Sequence, residues 1–265
     1  EWVELSARIP KINKEIKIGI VGKYFNFKSI KDTYISVIES IHHASWAEGL
    51  KPDILWLDSE KYENDSSLLR ELDELDGIIV PGGFGKRGTE GMILAANYAR
   101  ENKIPYFGLC FGVQLMTIAY ARHVLGFLGA NSTEMDPDTK YPVIATMVDQ
   151  VEKIKNKNYG ASMRLGAYPA VLEKGSVAAE SYGALKISER HRHRYEVNPK
   201  FVDLLEKNGM VFSGYYERFD RTKLMEYIEL PNLKFFCGTQ AHPEFKSRLG
   251  NPSPLFYGFV KNCNK

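Results

Sequence analysis

The first half of the chain alternates between short apolar runs and longer amphipathic segments. The short runs are rich in β-branched and other large apolar residues, which is typical of buried strands, and they span 15–22, 52–58, 76–83 and 104–109. The longer segments carry apolar residues at helical spacing, and they span 29–49, 66–73, 89–103 and 113–126. Alternating strands and helices with short connections predict a parallel sheet covered by helices on both faces.

The second half is less regular. Residues 130–195 are polar with short apolar pieces, which predicts loops and small strands. Antiparallel strands are expected at 211–217, 223–230 and 232–240, and a short helix at 256–262. We therefore expect an α/β fold with an open, mostly parallel sheet, helices on both faces and an added antiparallel region. The polar segment 1–15 is expected to be a linker or tail ahead of one domain at 16–265.

Composition narrows the class of protein. With 265 residues, 44% of them hydrophobic, the chain can bury one large core. A net charge of +2 gives no case for a nucleic-acid partner, and no apolar run reaches the ~18 residues of a membrane helix. The first residues lack the apolar core of a signal peptide, and Cys110, Cys237 and Cys263 have no metal-type spacing. These features predict a cytoplasmic protein with free thiols and no membrane partner.

Cys110 lies between two glycines where a predicted strand meets a predicted helix. Glycine on both sides would let the chain turn sharply with little clash, as the nucleophile elbow of a hydrolase requires. A helix N-terminus also favours thiolate over thiol. Cysteine is among the most buried residue types, however, so this pattern alone leaves a second interpretation equally open, a small buried hydrophobe. Cys237 and Cys263 lack this context and are interpreted as structural.

A thiol nucleophile needs a base, and His242 is the best candidate among the six histidines. Pro243 favours an extended conformation at His242. Because residues i and i+2 of an extended segment point the same way, Glu244 can reach the imidazole. A carboxylate in that position orients the ring and stabilises its charged form, which completes a triad.

The other histidines have simpler interpretations. His42, His43 and His123 lie on predicted helices and are expected to be ordinary packed or exposed side chains. His191 and His193 could be mistaken for a metal cluster. No cysteine or carboxylate lies at ligand spacing from them, so no metal site is predicted.

Acyl transfer also needs donors aimed at the developing oxyanion. The Pro-Gly-Gly-Phe-Gly loop at 81–85 follows another predicted strand and offers a backbone N–H at Gly83. Phe111, the residue after the cysteine, offers a second. By itself, 81–85 is almost as well interpreted as a plain loop. Together with the elbow and the His-Pro-Glu segment, it favours thiol-based acyl transfer.

Six segments carry a resemblance to a known family: PGGFGKRGTEG, GLCFGVQL, NSTEMDP, MRLG, ERHRHRYEVNP and AHPEF. In this order and spacing they resemble the class I glutamine amidotransferase domain of the CTP synthase family, over about residues 16–260. RHRHRYEVNP and NSTEMDP are the most specific of them. Segment 1–15 resembles the linker that joins the synthetase and glutaminase halves in that family. The resemblance implies a flavodoxin-like fold.

The resemblance also implies an activity, the hydrolysis of L-glutamine to glutamate and ammonia. It implies Cys110 as nucleophile, His242 as base and acid, and Glu244 as the residue that orients it. Gly83 and Phe111 would form the oxyanion hole. The residues implied to hold glutamine are Gly83, Phe111, Gln114, Glu134 and Arg194. An acidic residue for the ammonium and an arginine for the carboxylate suit a zwitterionic substrate.

A regulatory nucleotide and a second catalytic half are implied as well. GTP would be an allosteric activator, with Arg164 at the position that the family links to activation and Lys86 and Arg87 in a neighbouring loop. This basic rim could equally be a solvated face. Ammonia would pass to a synthetase domain of the same polypeptide, which aminates UTP to CTP with ATP and Mg, in an enzyme expected to be a homotetramer. The printed chain has no Gly-x₄-Gly-Lys-[Ser/Thr] loop, so we expect the synthetase domain to be absent from it and the glutaminase domain to need no cofactor.

Two other classes of protein stay open. A cysteine hydrolase or thiol-dependent stress protein of the same fold would also place a cysteine at an elbow. It would not need Glu134 and Arg194 for an amino-acid head group. A non-catalytic regulatory module would keep the fold, but it would have no need of Cys110, His242 and Glu244 together.

Overall fold

The computed structural model describes residues 2–23, 33–146 and 163–264. The α-helices are α1 (Trp2–Arg8), α2 (Ile35–Ala47), α3 (Ser59–Asn64), α4 (Thr89–Glu101), α5 (Phe111–His123), α6 (Val177–Tyr182), α7 (Pro199–Lys207) and α8 (Pro254–Cys263). The strands are β1 (Glu15–Gly22), β2 (Lys51–Asp58), β3 (Gly77–Val80), β4 (Tyr106–Leu109), β5 (Ala130–Ser132), β6 (Tyr141–Thr146), β7 (Arg164–Leu172), β8 (Lys186–His193), β9 (Tyr195–Val197), β10 (Val211–Glu217), β11 (Lys223–Glu229) and β12 (Phe236–Thr239). Short 3₁₀ helices cover Ile9–Lys11, Ser66–Glu74 and Pro243–Lys246.

The described strands form one large sheet and one small one. The large sheet has the order β2-β1-β3-β4-β12-β11-β10-β7-β8, and the small one has the order β5-β6-β9. The first five strands of the large sheet run parallel, and from β12 onward each strand is antiparallel to the next. The predicted parallel sheet with an added antiparallel region is therefore confirmed.

Two apolar clusters pack on opposite faces of the large sheet. Tyr106 and Phe107 are neighbours on β4 and both are fully buried, yet they belong to different clusters. This follows from the alternation of side chains along a strand. Helices α4 and α5 contribute to the first cluster, and α2 and α8 contribute to the second. Among the described residues, no helix has both the length and the apolar character needed to cross a membrane.

The predicted elements of the first half agree with the structure apart from their ends. Strand β1 covers the predicted 15–22. Of the predicted helix 29–49, residues 29–32 lie outside the described residues, and α2 covers 35–47 of the rest. The polar segment 1–15 contains the short helix α1, which has no buried residue.

The prediction of loops and small strands for 130–195 is wrong for much of that segment. Strands β7 and β8 are nine and eight residues long and pair antiparallel, as a hairpin whose connection contains α6. Their alternation was hidden from the hydrophobic pattern because the buried face of β8 carries His191 and His193 in place of apolar residues.

Candidate active site

The carboxyl ends of β1, β3, β4 and β12 meet at one edge of the large sheet. The residues that follow these ends include Lys23, Gly82, Cys110, Gln240 and His242. Such an edge is where open α/β sheets bind ligands. A cavity of about 260 Å³ opens there, and its lining includes four of the predicted site residues, Gly83, Cys110, His242 and Glu244.

Cys110 is the strained residue of the turn between β4 and α5. Its φ of 49° and ψ of −94° lie in a region that side-chain-bearing residues rarely adopt, at a cost of about 1–3 kcal/mol. The predicted role of the flanking glycines in avoiding clash is confirmed, although neither has a positive φ and the unusual backbone conformation lies at Cys110 itself. They are needed for room: a Cβ on Gly112 would lie 2.0 Å from the Val80 carbonyl oxygen, and one on Gly108 would lie 2.8 Å from the Gly112 carbonyl carbon. The elbow itself is present as predicted.

Backbone groups of two strands hold the nucleophile and the base. The Cys110 N–H donates to the carbonyl of Thr239 at 2.7 Å, and its Sγ lies 3.8 Å from the carbonyl oxygen of Arg192. The His242 N–H donates to the carbonyl of Arg190 at 2.8 Å. Strand β8 therefore contacts both functional residues through its backbone.

His242 forms the predicted pair with Glu244, at 2.7 Å between Nδ1 and Oε1, and both side chains are buried. The expected extended segment is wrong: Glu244 lies in the 3₁₀ helix Pro243–Lys246, and that turn brings its carboxylate to the ring. Burial opposes the protonated ring, but Cys110 and Glu244 outweigh it and raise the pKa of His242 well above its ordinary value. The site thus favours the imidazolium form of His242, which pairs with Glu244.

Gly83 and Phe111, the expected oxyanion-hole residues, lie side by side. A Cβ on Gly83 would be 3.5 Å from Phe111 Cδ1. Phe111 is the first residue of α5, so its N–H has no acceptor within the helix. Phe111 follows Cys110 in the chain, and Gly83 lines the same cavity as Cys110.

A group of charged side chains with a buried lysine lies next to this pair. Lys23 is fully buried and donates to the Gly85 carbonyl at 2.7 Å, while the Gly85 N–H donates to Glu134 Oε1 at 2.9 Å. Burial lowers the pKa of Lys23 to about 8. Burial raises the pKa of Glu134, although Gly85, Lys23 and Arg194 favour its charged form. Sequence reasoning named Glu134 and Arg194 but missed Lys23, which follows β1 just as Cys110 follows β4.

Gln114 and Gln240 form a chain of amides that ends at the nucleophile. Gln114 Nε2 donates to the Tyr195 carbonyl at 2.8 Å and to Gln240 Oε1 at 3.1 Å. Gln240 Nε2 in turn lies 3.6 Å from Cys110 Sγ. Sequence reasoning found Gln114 through the resemblance and gave no role to Gln240.

The three basic residues expected at a regulatory rim lie in two different environments. Lys86 and Arg87 are exposed in the loop before α4. The expectation of a rim or solvated face is wrong for Arg164, which is 6% exposed. Its Nη1 lies 2.7 Å from Glu226 Oε1 and 3.3 Å from Glu196 Oε1.

His191 and His193 belong to the same buried cluster. His191 Nδ1 lies 3.0 Å from His193 Nε2 and 3.6 Å from Glu226 Oε2. No carboxylate lies at ligand spacing from these histidines in the sequence, but β11 brings Glu226 to them from a distant part of the chain. The three side chains are of metal-ligating type, and one potential ligand atom from each lies within 4.8 Å of the others. Because Arg164 pairs with Glu226, the contacts among these buried side chains form an ion-pair network.

Comparison with known proteins defines the family. The model of the class-I glutamine amidotransferase family matches residues 29–262, and the chain belongs to this family. Within it, the chain is 48% identical over 259 residues to the CTP synthase of Methanococcoides burtonii, covering 98% of this chain and 46% of that protein. It is also 48% identical over 260 residues to the CTP synthase of Sulfolobus acidocaldarius, covering 98% of this chain and 47% of that protein. The chain thus spans about half the length of these relatives.

A solved structure gives the same result. The glutaminase domain of Trypanosoma brucei CTPS with bound acivicin has a TM-score of 0.86 and 38% sequence identity, covering 94% of this chain and 93% of that one. The resemblance drawn from the six segments is therefore confirmed, together with the fold class.

Proposed function

We propose that this chain hydrolyses L-glutamine to glutamate and ammonia through Cys110, His242 and Glu244. The observation that carries the proposal is the pairing of His242 with Glu244 at 2.7 Å, beside a cysteine on a strained strand-to-helix turn. A nucleophile, a base and a group that orients the base are the three parts that covalent acyl transfer requires.

The reaction proceeds in two steps. The Cys110 thiolate attacks the side-chain amide carbon, and the N–H groups of Gly83 and Phe111 stabilise the tetrahedral oxyanion. Protonated His242 gives its proton to the departing nitrogen as the C–N bond breaks, which leaves a γ-glutamyl thioester and ammonia. Neutral His242 then takes a proton from water as the water attacks the thioester. The C–S bond breaks, glutamate leaves, and the thiolate and imidazolium are restored.

The residues around the triad favour an amino-acid substrate. Glu134 and Arg194 offer opposite charges close enough to interact, which suits an ammonium and a carboxylate. Gln114 keeps one buried amide oxygen, Oε1, without a hydrogen-bond partner among the described residues. We assign these three residues to the binding of glutamine. A hydrolase acting on a neutral acyl group would gain nothing from the charged pair.

For the whole protein we propose that the ammonia passes to a synthetase domain that aminates UTP to CTP with ATP and Mg. The support is the similarity to proteins named CTP synthase, of which this chain spans about half. For GTP activation, the exposed Lys86 and Arg87 are the groups that an anionic nucleotide can reach. Arg164 would act indirectly, since it is buried and pairs with Glu226 on β11.

The test is covalent labelling with a glutamine analogue that carries an electrophile at the side-chain position, followed by peptide mass spectrometry. We expect the adduct on Cys110, protection by glutamine, and loss of both labelling and glutamate formation in Cys110→Ala. The matched control is Cys263→Ala, which removes a buried thiol outside the cavity and should keep both. An adduct on Cys237 or Cys263 with Cys110 unlabelled would refute the assignment.

A further inference from the structure

Gln240 is buried directly beside the nucleophile. It follows β12, and β12 pairs in parallel with β4 so that Thr239 lies opposite Leu109. The next residue on each strand is therefore also a neighbour of the other, which places Gln240 next to Cys110. Gln240 is 1% exposed, its N–H donates to the Glu226 carbonyl at 2.9 Å, and its side-chain Nε2 lies 3.6 Å from Cys110 Sγ.

The carbonyl of Tyr195 decides which end of the Gln240 amide faces the sulfur. A backbone carbonyl only accepts hydrogen bonds, so the group of Gln114 that lies 2.8 Å from it must be the amino group, Nε2. The same Nε2 lies 3.1 Å from the Gln240 amide, which must therefore turn its oxygen toward Gln114. The amino group of Gln240 is then left to point at Cys110.

The two contacts of the sulfur have opposite effects on its charge. The Arg192 carbonyl oxygen, 3.8 Å from Sγ, can accept a hydrogen bond from a thiol and repels a thiolate. The Gln240 amino group interacts weakly with a thiol but donates a charge-assisted hydrogen bond to a thiolate. The charged ring of His242 also interacts with the sulfur and favours the thiolate, and the Gln240 amino group adds a neutral donor that offsets the carbonyl contact.

We propose that Gln240 is a catalytic residue, which donates a hydrogen bond to Cys110 Sγ and stabilises the thiolate that attacks the substrate. Its place in the reaction rests on the proposed glutaminase function. Gln114 is then the positioning residue that sets the orientation of the Gln240 amide.

The test measures the rate of Cys110 alkylation by iodoacetamide as a function of pH, read from the Cys110 peptide by mass spectrometry. Gln240→Met keeps the side-chain length and removes the donor, and Gln240→Glu replaces the donor with an acceptor. We expect the pH of half-maximal labelling to rise by about one unit in Gln240→Met and at least as much in Gln240→Glu. This corresponds to about tenfold slower labelling on the acidic side of the profile.

Circular dichroism and the urea midpoint separate this role from a structural one. The matched control is Asn97→Leu, which removes a half-buried amide that contacts Arg100 on α4, away from the site. It should leave the labelling profile unchanged. A lower urea midpoint in both Gln240 variants with an unshifted labelling profile would overturn the proposal, because it would show a packing role alone.

The two proposals fail in distinguishable ways. If the unaltered chain hydrolyses glutamine, and Gln240→Met keeps its labelling profile and its kcat/KM, the role of Gln240 is wrong and the glutaminase function stands. If the unaltered chain reacts with iodoacetamide but forms no glutamate, the glutaminase function is wrong. The shift in the labelling profile then still decides whether Gln240 stabilises the thiolate.

Discussion

Single residues shape this site through the space that they leave free as well as through their functional groups. A Cβ on Gly82 would lie 2.9 Å from His242 Cε1 and 3.7 Å from the Cβ of Cys110, so the loop after β3 can pass the two reacting side chains only with glycine there. The imidazole is therefore confined by backbone on one side and by Glu244 on the other. Its protonation depends on that carboxylate.

Glu244→Gln tests this dependence. The neutral amide no longer stabilises the imidazolium, so the pKa of His242, which Cys110 and Glu244 together raise, should fall. With a lower pKa, His242 loses its proton at a lower pH. It therefore stops donating a proton to the leaving nitrogen at a lower pH than in the unaltered chain. We expect kcat to fall by about 10²- to 10⁴-fold and the alkaline limb of the kcat profile to move to lower pH. The measurement is glutamate formation at saturating glutamine from pH 6 to pH 10.

Two variants control this result. Glu244→Asp keeps the negative charge and should recover part of kcat. Glu173→Gln removes an exposed carboxylate just after the end of β7 and should leave the profile unchanged. A wild-type alkaline limb in Glu244→Gln would contradict the proposed role of the carboxylate.

At the scale of helices and strands, a feature could be predicted from the sequence when the residues that determine it are neighbours along the chain. The junction of β4 and α5 is determined by residues that are neighbours in the sequence, so the elbow was predictable. The same holds for the pairing of His242 with Glu244 and for the alternation of strands and helices that defines the fold class. The hairpin β7–β8 was not predictable, because its buried face is polar and is stabilised by partners on other strands. Gln240 likewise receives its role from Cys110, which only the pairing of β12 with β4 brings close.

Ionisable groups from four strands meet at the buried face of the β7–β8 hairpin. Arg164 on β7, His191 on β8, Glu196 on β9 and Glu226 on β11 are all buried and in contact. Burial and Arg164 lower the pKa of His191 to about 3. Burial raises the pKa of Glu226 from its ordinary 4.5 to about 7, against the effect of Arg164. The two groups therefore push the pH dependence of stability in opposite directions.

Glu226→Gln should reveal this opposition. Between about pH 4.5 and pH 7, folded Glu226 holds a proton that the unfolded chain releases, so its contribution to stability grows as pH falls. His191 stays neutral in the fold while the unfolded imidazole takes up a proton below about pH 6.5, so its contribution shrinks as pH falls. Removing Glu226 leaves the histidine effect unopposed, and we expect the loss of stability on acidification to steepen by up to about 1.4 kcal/mol per pH unit.

Urea unfolding at half-unit steps from pH 4.5 to pH 7.5 measures the slope. Glu217→Gln, the same change on the exposed end of β10, controls for the loss of one carboxylate. A slope in Glu226→Gln that is equal to or shallower than that of the unaltered chain would refute the assigned proton.

At the scale of the whole molecule, the site is distant from much of the core that supports it. The second apolar cluster lies on the face of the sheet covered by α2 and α8, where Phe259 is fully buried. Its ring packs against Phe107 at 5.8 Å and Phe235 at 5.5 Å between centroids. Because the same strands carry both clusters, loss of packing on this face should weaken the whole sheet without altering the chemistry at its edge.

Phe259→Ala separates the stability of the sheet from the reactivity of the site. Truncating a buried phenylalanine leaves a cavity and costs about 3–5 kcal/mol of stability. We expect the free energy of unfolding in urea to fall by this amount. Fluorescence and circular dichroism should report the same single transition. The folded variant should label Cys110 with iodoacetamide at the rate of the unaltered chain at 20 °C, since no contact of the cysteine is changed. Phe219→Ala is the matched control, because Phe219 is fully exposed and its truncation should change neither quantity. Slower labelling of Cys110 in folded Phe259→Ala would contradict the independence of the elbow, and two separate transitions would contradict a sheet that unfolds as one unit.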